Sequence, residues 1–249
     1  GCSPVNGMQQ GCEVVQRSTG LPPGLQETSG VVASQRHEGV IWTHNDSGGE
    51  AEVVGVYLDG RPAGRVRVRG ARAEDWEDLA LGPCAGEGSC LYIGDIGDGS
   101  ANRSGITIYR IPEPDPATAP EVTAEVFPMR YPDGARDAEA LFVLPSGELY
   151  LVSKGRLGGI DLFRYPGPLR AGETVTLEHV RTLSADRVVL EEQVTGASAS
   201  PSGAWVAIRR YKRLDIWRPA ELLGGGGPDR SIDLTPLGEV QGEAVALLD

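Results

Sequence analysis

The sequence predicts an all-β fold, a single β-propeller of five four-stranded antiparallel blades. Three observations carry that expectation. One short phrase, a polar or acidic residue followed by a small one and an apolar run, recurs five times at intervals of about 50–60 residues, a repeat length typical of radial arrays. Its copies are Ser29-Gly30-Val31-Val32, Glu77-Asp78-Leu79-Ala80, Glu139-Ala140-Leu141-Phe142, Thr195-Gly196-Ala197-Ser198 and Glu243-Ala244-Val245-Ala246. Short runs of strand length and strand composition follow the copies in the same order. The 35 glycines and 18 prolines fall mostly between those runs, which favours turns over long helices.

The strands can be laid over one another. The first strand of each unit follows the phrase. Second strands read Val40-Ile41-Trp42-Thr43, Leu91-Tyr92-Ile93-Gly94, Leu149-Tyr150-Leu151-Val152 and Trp205-Val206-Ala207-Ile208. Third strands carry an aromatic in register, at Tyr57, Tyr109, Phe163 and Trp217, as expected where one blade packs on the next. Fourth strands are Arg65–Val68, Glu125–Phe127, Leu177–Val180 and Ser231–Leu234. Leu58-Asp59-Gly60, Pro145-Ser146-Gly147 and Pro201-Ser202-Gly203 supply turn chemistry between them, and Gly224–Gly227 reads as a flexible loop. The fifth unit, begun at Glu243, has room for one strand only. Residues 1–26, with the apolar run at Cys12–Val15, are expected to close the ring, and residues 27–249 to form the single propeller domain.

Net charge is −12, which argues against a nucleic-acid partner, since such proteins carry a basic stripe. The same charge suits solubility and divalent cations. No apolar run approaches the roughly 18 residues of a membrane-spanning helix. Four cysteines form two local pairs: Cys84 with Cys90 across a short loop, and Cys2 with Cys12. Neither pair has zinc-ligand spacing, and local pairing suits disulfides and an extracytoplasmic, secreted or periplasmic location. Gly1-Cys2-Ser3 also resembles the region around a bacterial lipoprotein cleavage site, and a lipid on Cys2 would leave Cys12 unpaired.

In a propeller the starts of the inner strands meet at the axis, so Glu77, Glu139 and Glu243 should converge there, with Ser29 and Thr195 from the other units. Carboxylates crowded in one channel must be protonated or bridged by a cation. An oxygen-only donor set suits a hard cation such as Ca²⁺. The alternative is structural, each acid holding its own blade through backbone amides. Second-strand ends should approach the same mouth with His44-Asn45-Asp46, Asp95, Lys154 and Arg209-Arg210-Tyr211, a mixture able to receive a phosphate or carboxylate group. Gly94-Asp95-Ile96-Gly97-Asp98-Gly99 resembles a calcium loop but lacks the closing bidentate Glu. Trp76 either walls the entrance or packs between blades. There is no Gly-x-Ser-x-Gly elbow and no Walker loop, and three histidines leave little scope for a Ser-His-Asp triad. Metal-assisted hydrolysis needs only ligands, a water and a base.

Six phrases carry a resemblance: Glu-Thr-Ser-Gly-Val, His-Asn-Asp-Ser-Gly-Gly, Asp-Trp-Glu-Asp-Leu-Ala, Gly-Asp-Ile-Gly-Asp, Asp-Ala-Glu-Ala-Leu and Gln-Gly-Glu-Ala-Val. Together, over most of residues 27–247, they resemble a largely uncharacterised group of secreted bacterial propellers akin to phytase-like and esterase-like proteins. More distantly the chain is similar to the gluconolactonase and paraoxonase propellers, whose inner-strand Glu binds a catalytic calcium. That resemblance implies Glu77, Glu139 and Glu243 as calcium ligands, with Asn45 and Asp46.

The resulting expectation is a calcium-binding propeller that holds a small anionic ligand at its channel mouth. As an enzyme it would be a metal-dependent hydrolase of phosphoesters or lactones. Asp46 or Asp95 would act as base, and Lys154 or Arg209 would stabilise developing negative charge. The alternatives are a non-catalytic interaction propeller with a structural acidic ring, or a surface-anchored scaffold.

Overall fold

The computed structural model describes residues 14, 16, 20–25, 27–46 and 49–249. The first blade is formed by β1 (Thr28–Ala33), β2 (Val40–Asn45), β3 (Glu52–Tyr57) and β4 (Pro62–Arg69). The second begins with β5 (Trp76–Pro83), β6 (Ser89–Asp95) and β7 (Ile106–Pro112). The short β8 (Glu121–Thr123) then crosses back to pair parallel with β4, before β9 (Glu125–Arg130) completes the second blade. In the third, β10 (Ala138–Val143), β11 (Leu149–Ser153) and β12 (Ile160–Arg164) precede β13 (Val175–Thr176), which pairs parallel with β9, and β14 (Glu178–Ser184) closes the sheet. The fourth holds β15 (Val194–Ala199), β16 (Val206–Arg210), β17 (Arg213–Trp217) and β18 (Arg230–Asp233).

The fold is thus a β-propeller, but the described residues contain four blades rather than five. The Glu243 phrase starts no sheet. Residues 242–249 run as an extended segment beside the fourth blade, held by Thr195 Oγ1 to Gly242 O (2.8 Å), Arg209 Nη1 to Ala244 O (2.9 Å) and Leu247 N to Ser198 Oγ (3.0 Å). An isolated strand buries too little to make a blade. Closure by the Cys12–Val15 run, the Cys2–Cys12 pair and lipidation of Cys2 lie outside the described residues. Just before β1, Leu25 packs on Val54 and Val56 of the first blade.

Blade faces make the core. Trp42, Leu79, Ile93 and Tyr109 pack between the first and second blades. Phe127, Leu141, Leu151 and Phe163 pack between the second and third, and Phe142, Tyr150, Ile208 and Trp217 between the third and fourth. Trp76 lies in this packing: it is 1% exposed, touches the His44 ring edge-on, and donates its indole N–H to Arg72 O at 2.7 Å. The glycine run follows a short helix, α1 (Pro219–Gly224), that sequence patterning did not indicate; Gly225 ends it at φ +95°, a conformation open to glycine. A disulfide joins Cys84 to Cys90 across the β5–β6 connection. No helix among the described residues is long and apolar enough to cross a membrane.

Candidate metal centre

The repeated phrase turns out to encode a β-bulge. Pairing with the second strand slips at the same place in every inner strand: between Thr28 and Val31, Trp76 and Asp78, Ala138 and Ala140, and Val194 and Gly196. A bulge re-aims side chains and frees backbone groups from the ladder. In the second, third and fourth blades it leaves the amide two residues after the phrase's first residue unpaired by the sheet. Those amides converge on one carboxylate. Asp78 Oδ1 accepts from Leu79 N (2.9 Å), and Oδ2 accepts from Leu141 N (2.9 Å) and Ala197 N (3.1 Å), so one side chain joins three blades. Burial raises the Asp78 pKa, and its three amide donors oppose that rise by favouring the ionised form.

In the first blade the captured amide lies one residue earlier in the phrase, and His44 takes it. Gly30 N donates to Nε2 at 3.2 Å, so Nε2 is unprotonated and Nδ1 donates to Asn45 O at 2.8 Å. Burial lowers the His44 pKa to about 4, keeping the ring neutral. Gly30 must be glycine: a Cβ there would lie 2.4 Å from Leu79 N. Asp78 and His44 are both fully buried and fill the axis.

On one side of this plug lies a cavity of about 590 Å³. Glu77, Glu139 and Glu243 all line it, together with Ser29. So do Glu27, Asp75, Asp137 and Gln241, each two residues before one of these, because alternate residues of a strand share a face. Second-strand ends complete it. Asp46, Ile96, Lys154 and Tyr211 are equivalent, each donating its amide to the residue two before the phrase: Glu27 O (2.7 Å), Asp75 O (3.2 Å), Asp137 O (2.8 Å) and Gln193 O (3.2 Å). Of these, Asp46, Lys154 and Tyr211 line the cavity.

Three proposed site residues sit elsewhere. Asp95, one position short of that register, faces another pocket, where it pairs with Arg103 (2.9 Å) and accepts Asp75 N (3.2 Å). Arg209 is bound to Glu239 and to Ala244 O in the C-terminal segment. Asn45 donates to Gly24 O at 2.7 Å. None of the three is on the cavity lining.

The cavity acids divide into two sets. Glu139 is held by Lys154 Nζ at 2.6 Å, and Asp137 faces Arg156 Nε at 3.4 Å. Asp46, Asp75 and Glu77 each place one carboxylate oxygen within 4.8 Å of the others. No base is paired with this second set in the salt bridges of the described residues. Asp46 Oδ1 is buried without a hydrogen-bond partner. Gly97 provides the floor: a Cβ there would stand 2.3 Å from Glu77 Oε1 and 2.4 Å from Asp75 Oδ2.

Crowding shows in the protonation equilibria. Burial, then the Asp75 charge, raises Asp46 to about 6. Burial, then the Glu139 charge, pushes Glu77 far above the carboxylate range, while burial raises Glu139 to about 7 against the opposing pull of Lys154. Asp75 and Glu243 are raised mainly by burial. Sequence reasoning missed Asp75 as a site residue, although its i, i+2 relation to Glu77 was there to be read.

No known protein family matches the sequence, and no curated protein matches it. Solved structures align with it at low identity and with TM-scores under 0.5. A PQQ-bound aldose sugar dehydrogenase from Streptomyces coelicolor aligns over 90% of this chain and 86% of its own, at 13% identity and TM-score 0.45. A luciferin-regenerating enzyme aligns over 89% and 67%, at 14% identity and TM-score 0.48. The Swd1 β-propeller domain of Myceliophteria thermophila aligns over 88% and 76%, at 13% identity and TM-score 0.43.

Proposed function

We propose that the axial cavity binds a divalent hard cation, Ca²⁺, through Asp46, Asp75 and Glu77, and that this centre holds a small anionic ligand. The carrying observation is the meeting of three carboxylate oxygens within 4.8 Å beside a buried, unpartnered Asp46 oxygen. Oxygen-only donors of this charge suit calcium, which takes its remaining ligands from water and substrate. Glu139 and Glu243 add negative potential around it. Lys154 and Arg156, also on the lining, supply the positive charge that an anion in the cavity would meet.

A hydrolytic role is the second reading, on phosphoester or lactone substrates. Its support is the same carboxylate cluster, which would hold a cation able to lower the pKa of a bound water. A bound cation would supply Lewis-acid polarisation of the scissile group. Lys154 would then steady negative charge, and the Asp78–His44 plug would keep water from entering along the axis. The disulfide fits an oxidising, extracytoplasmic compartment.

Thermal unfolding of metal-stripped protein, with and without millimolar Ca²⁺, tests the cation reading. A rise in Tm on Ca²⁺ addition supports it, because a ligand specific to the folded state stabilises that state. An unchanged Tm leaves the acids as a structural ring.

A further inference from the structure

Beyond the Asp78–His44 plug the axis opens into a second cavity of opposite chemistry. It measures about 430 Å³, within the roughly 300–1,000 Å³ range of small-molecule pockets. The far ends of the inner strands line it: Ser29, Glu77, Glu139 and Glu243 face the acidic cavity, and residues three or four positions after them face this one, while Thr195 is buried and lines neither. Val32, Leu81, Val143 and Leu247 give it apolar walls. Arg36 is the one charged side chain on the lining, in a chain whose net charge is −12.

The Arg36 fork is only half used. Nη1 donates to Glu113 O at 2.6 Å, and Nε and Nη2 have no partner among the described residues. The Glu113 carboxylate does not compete for it: it is 1% exposed, lies off the lining, and accepts from Trp42 Nε1 (3.1 Å) and the hydroxyls of Ser34 and Ser89. Ser198 Oγ accepts Leu247 N at 3.0 Å, which leaves its hydroxyl proton to donate.

We propose that this cavity is a second ligand site, for a small apolar carboxylate. The tail lies on the four apolar walls, and the carboxylate accepts from the Arg36 fork and the Ser198 hydroxyl. A planar guanidinium matches a carboxylate in two-point contact, and an apolar pocket with one placed charge is a common design for amphipathic ligands. The site is independent of the cation centre, which lies on the other side of the plug.

Calorimetric titration of the full chain with octanoate, and with 1-octanol as its neutral counterpart, tests it. Octanoate should bind at least about tenfold more tightly than octanol, the scale of a charge-assisted contact. Arg36→Lys should keep only part of that preference, because an ammonium cannot make the two-point contact, and Arg36→Gln and Arg36→Glu should abolish it. Arg36 is exposed, so these variants should fold. Asp75→Asn should leave octanoate affinity unchanged. The proposal is overturned by the absence of saturable octanoate binding at millimolar concentration, by octanol binding equally well, by undiminished binding to Arg36→Gln, or by loss of binding in Asp75→Asn.

Discussion

The carboxylate of Asp78 accepts the backbone N–H of Ala197, 119 residues later in the chain, at 3.1 Å. With Leu79 and Leu141 on the same carboxylate, this contact fixes three inner strands to one another at the axis. It therefore also fixes how far apart Glu77 and Glu139 stand, since each lies two residues before one of those amides.

Removing that carboxylate should be costly. Asp78→Ala strands three buried amides, each worth about 1–3 kcal/mol when left unsatisfied, so the loss should be at least about 3 kcal/mol. Urea denaturation measures it. A loss below about 1 kcal/mol would show that the hub contributes little beyond an ordinary hydrogen bond.

The metal-free protein should lose stability as pH rises from 7 to 9. Glu77 has a folded pKa raised far above its unfolded one, so across this window the folded state holds a proton that the unfolded state has released; Glu139, raised to about 7, adds to the loss only at the start of the window. Unfolding free energy then falls with increasing pH. His44 has the opposite sign: its lowered pKa gives stability that is lost as pH falls from its unfolded value toward about 4, so it does not contribute between 7 and 9. Ca²⁺ should flatten the slope by holding the carboxylates ionised. Denaturation midpoints at pH 7, 8 and 9, with and without Ca²⁺, give the comparison, and a metal-free slope of opposite sign would contradict this picture.

Gly97→Ala should cost the cation its place. The new methyl would press on Glu77 Oε1 and Asp75 Oδ2, and displacing either ligand should weaken Ca²⁺ at least about tenfold, a change of about 1.4 kcal/mol. Calorimetry at pH 8 reads this directly. Wild-type affinity in the variant would remove Gly97 from the site.

Lys154→Gln should destabilise the protein more at pH 8 than at pH 5. It leaves Glu139, which is 4% exposed, without its counter-ion, and breaking a buried pair costs about 3–5 kcal/mol when the remaining group stays charged. With the pKa of Glu139 near 7, protonation at pH 5 relieves most of that cost. Equal losses at both pH values would mean that the ion pair carries no net charge coupling.

Much of the strand order was legible because each run alternates and the phrase marks each inner strand. The count of five blades was not, because the phrase encodes a bulge and not a sheet. Glu243 repeats the bulge wording and lines the cavity, but it lies in no strand among the described residues. Asp46 and Lys154 could be placed on the cavity, whereas Asp95 and Arg209 could not be excluded. A one-residue step in register turns a strand residue to the opposite face, and register is fixed by hydrogen bonds that the sequence does not print. Asp75 went unnoticed although its i, i+2 relation to Glu77 puts both on one face, because it precedes the repeated phrase that marks each inner strand.

Crystals soaked in Tb³⁺ as a calcium surrogate, with anomalous data collected at its absorption edge, test the central claim most directly. The account predicts one strong peak on the axis, within bonding distance of Asp46, Asp75 and Glu77 oxygens, and absent from crystals of Asp75→Asn. Peaks confined to exposed surface acids, with the axial cavity holding water alone, would contradict it.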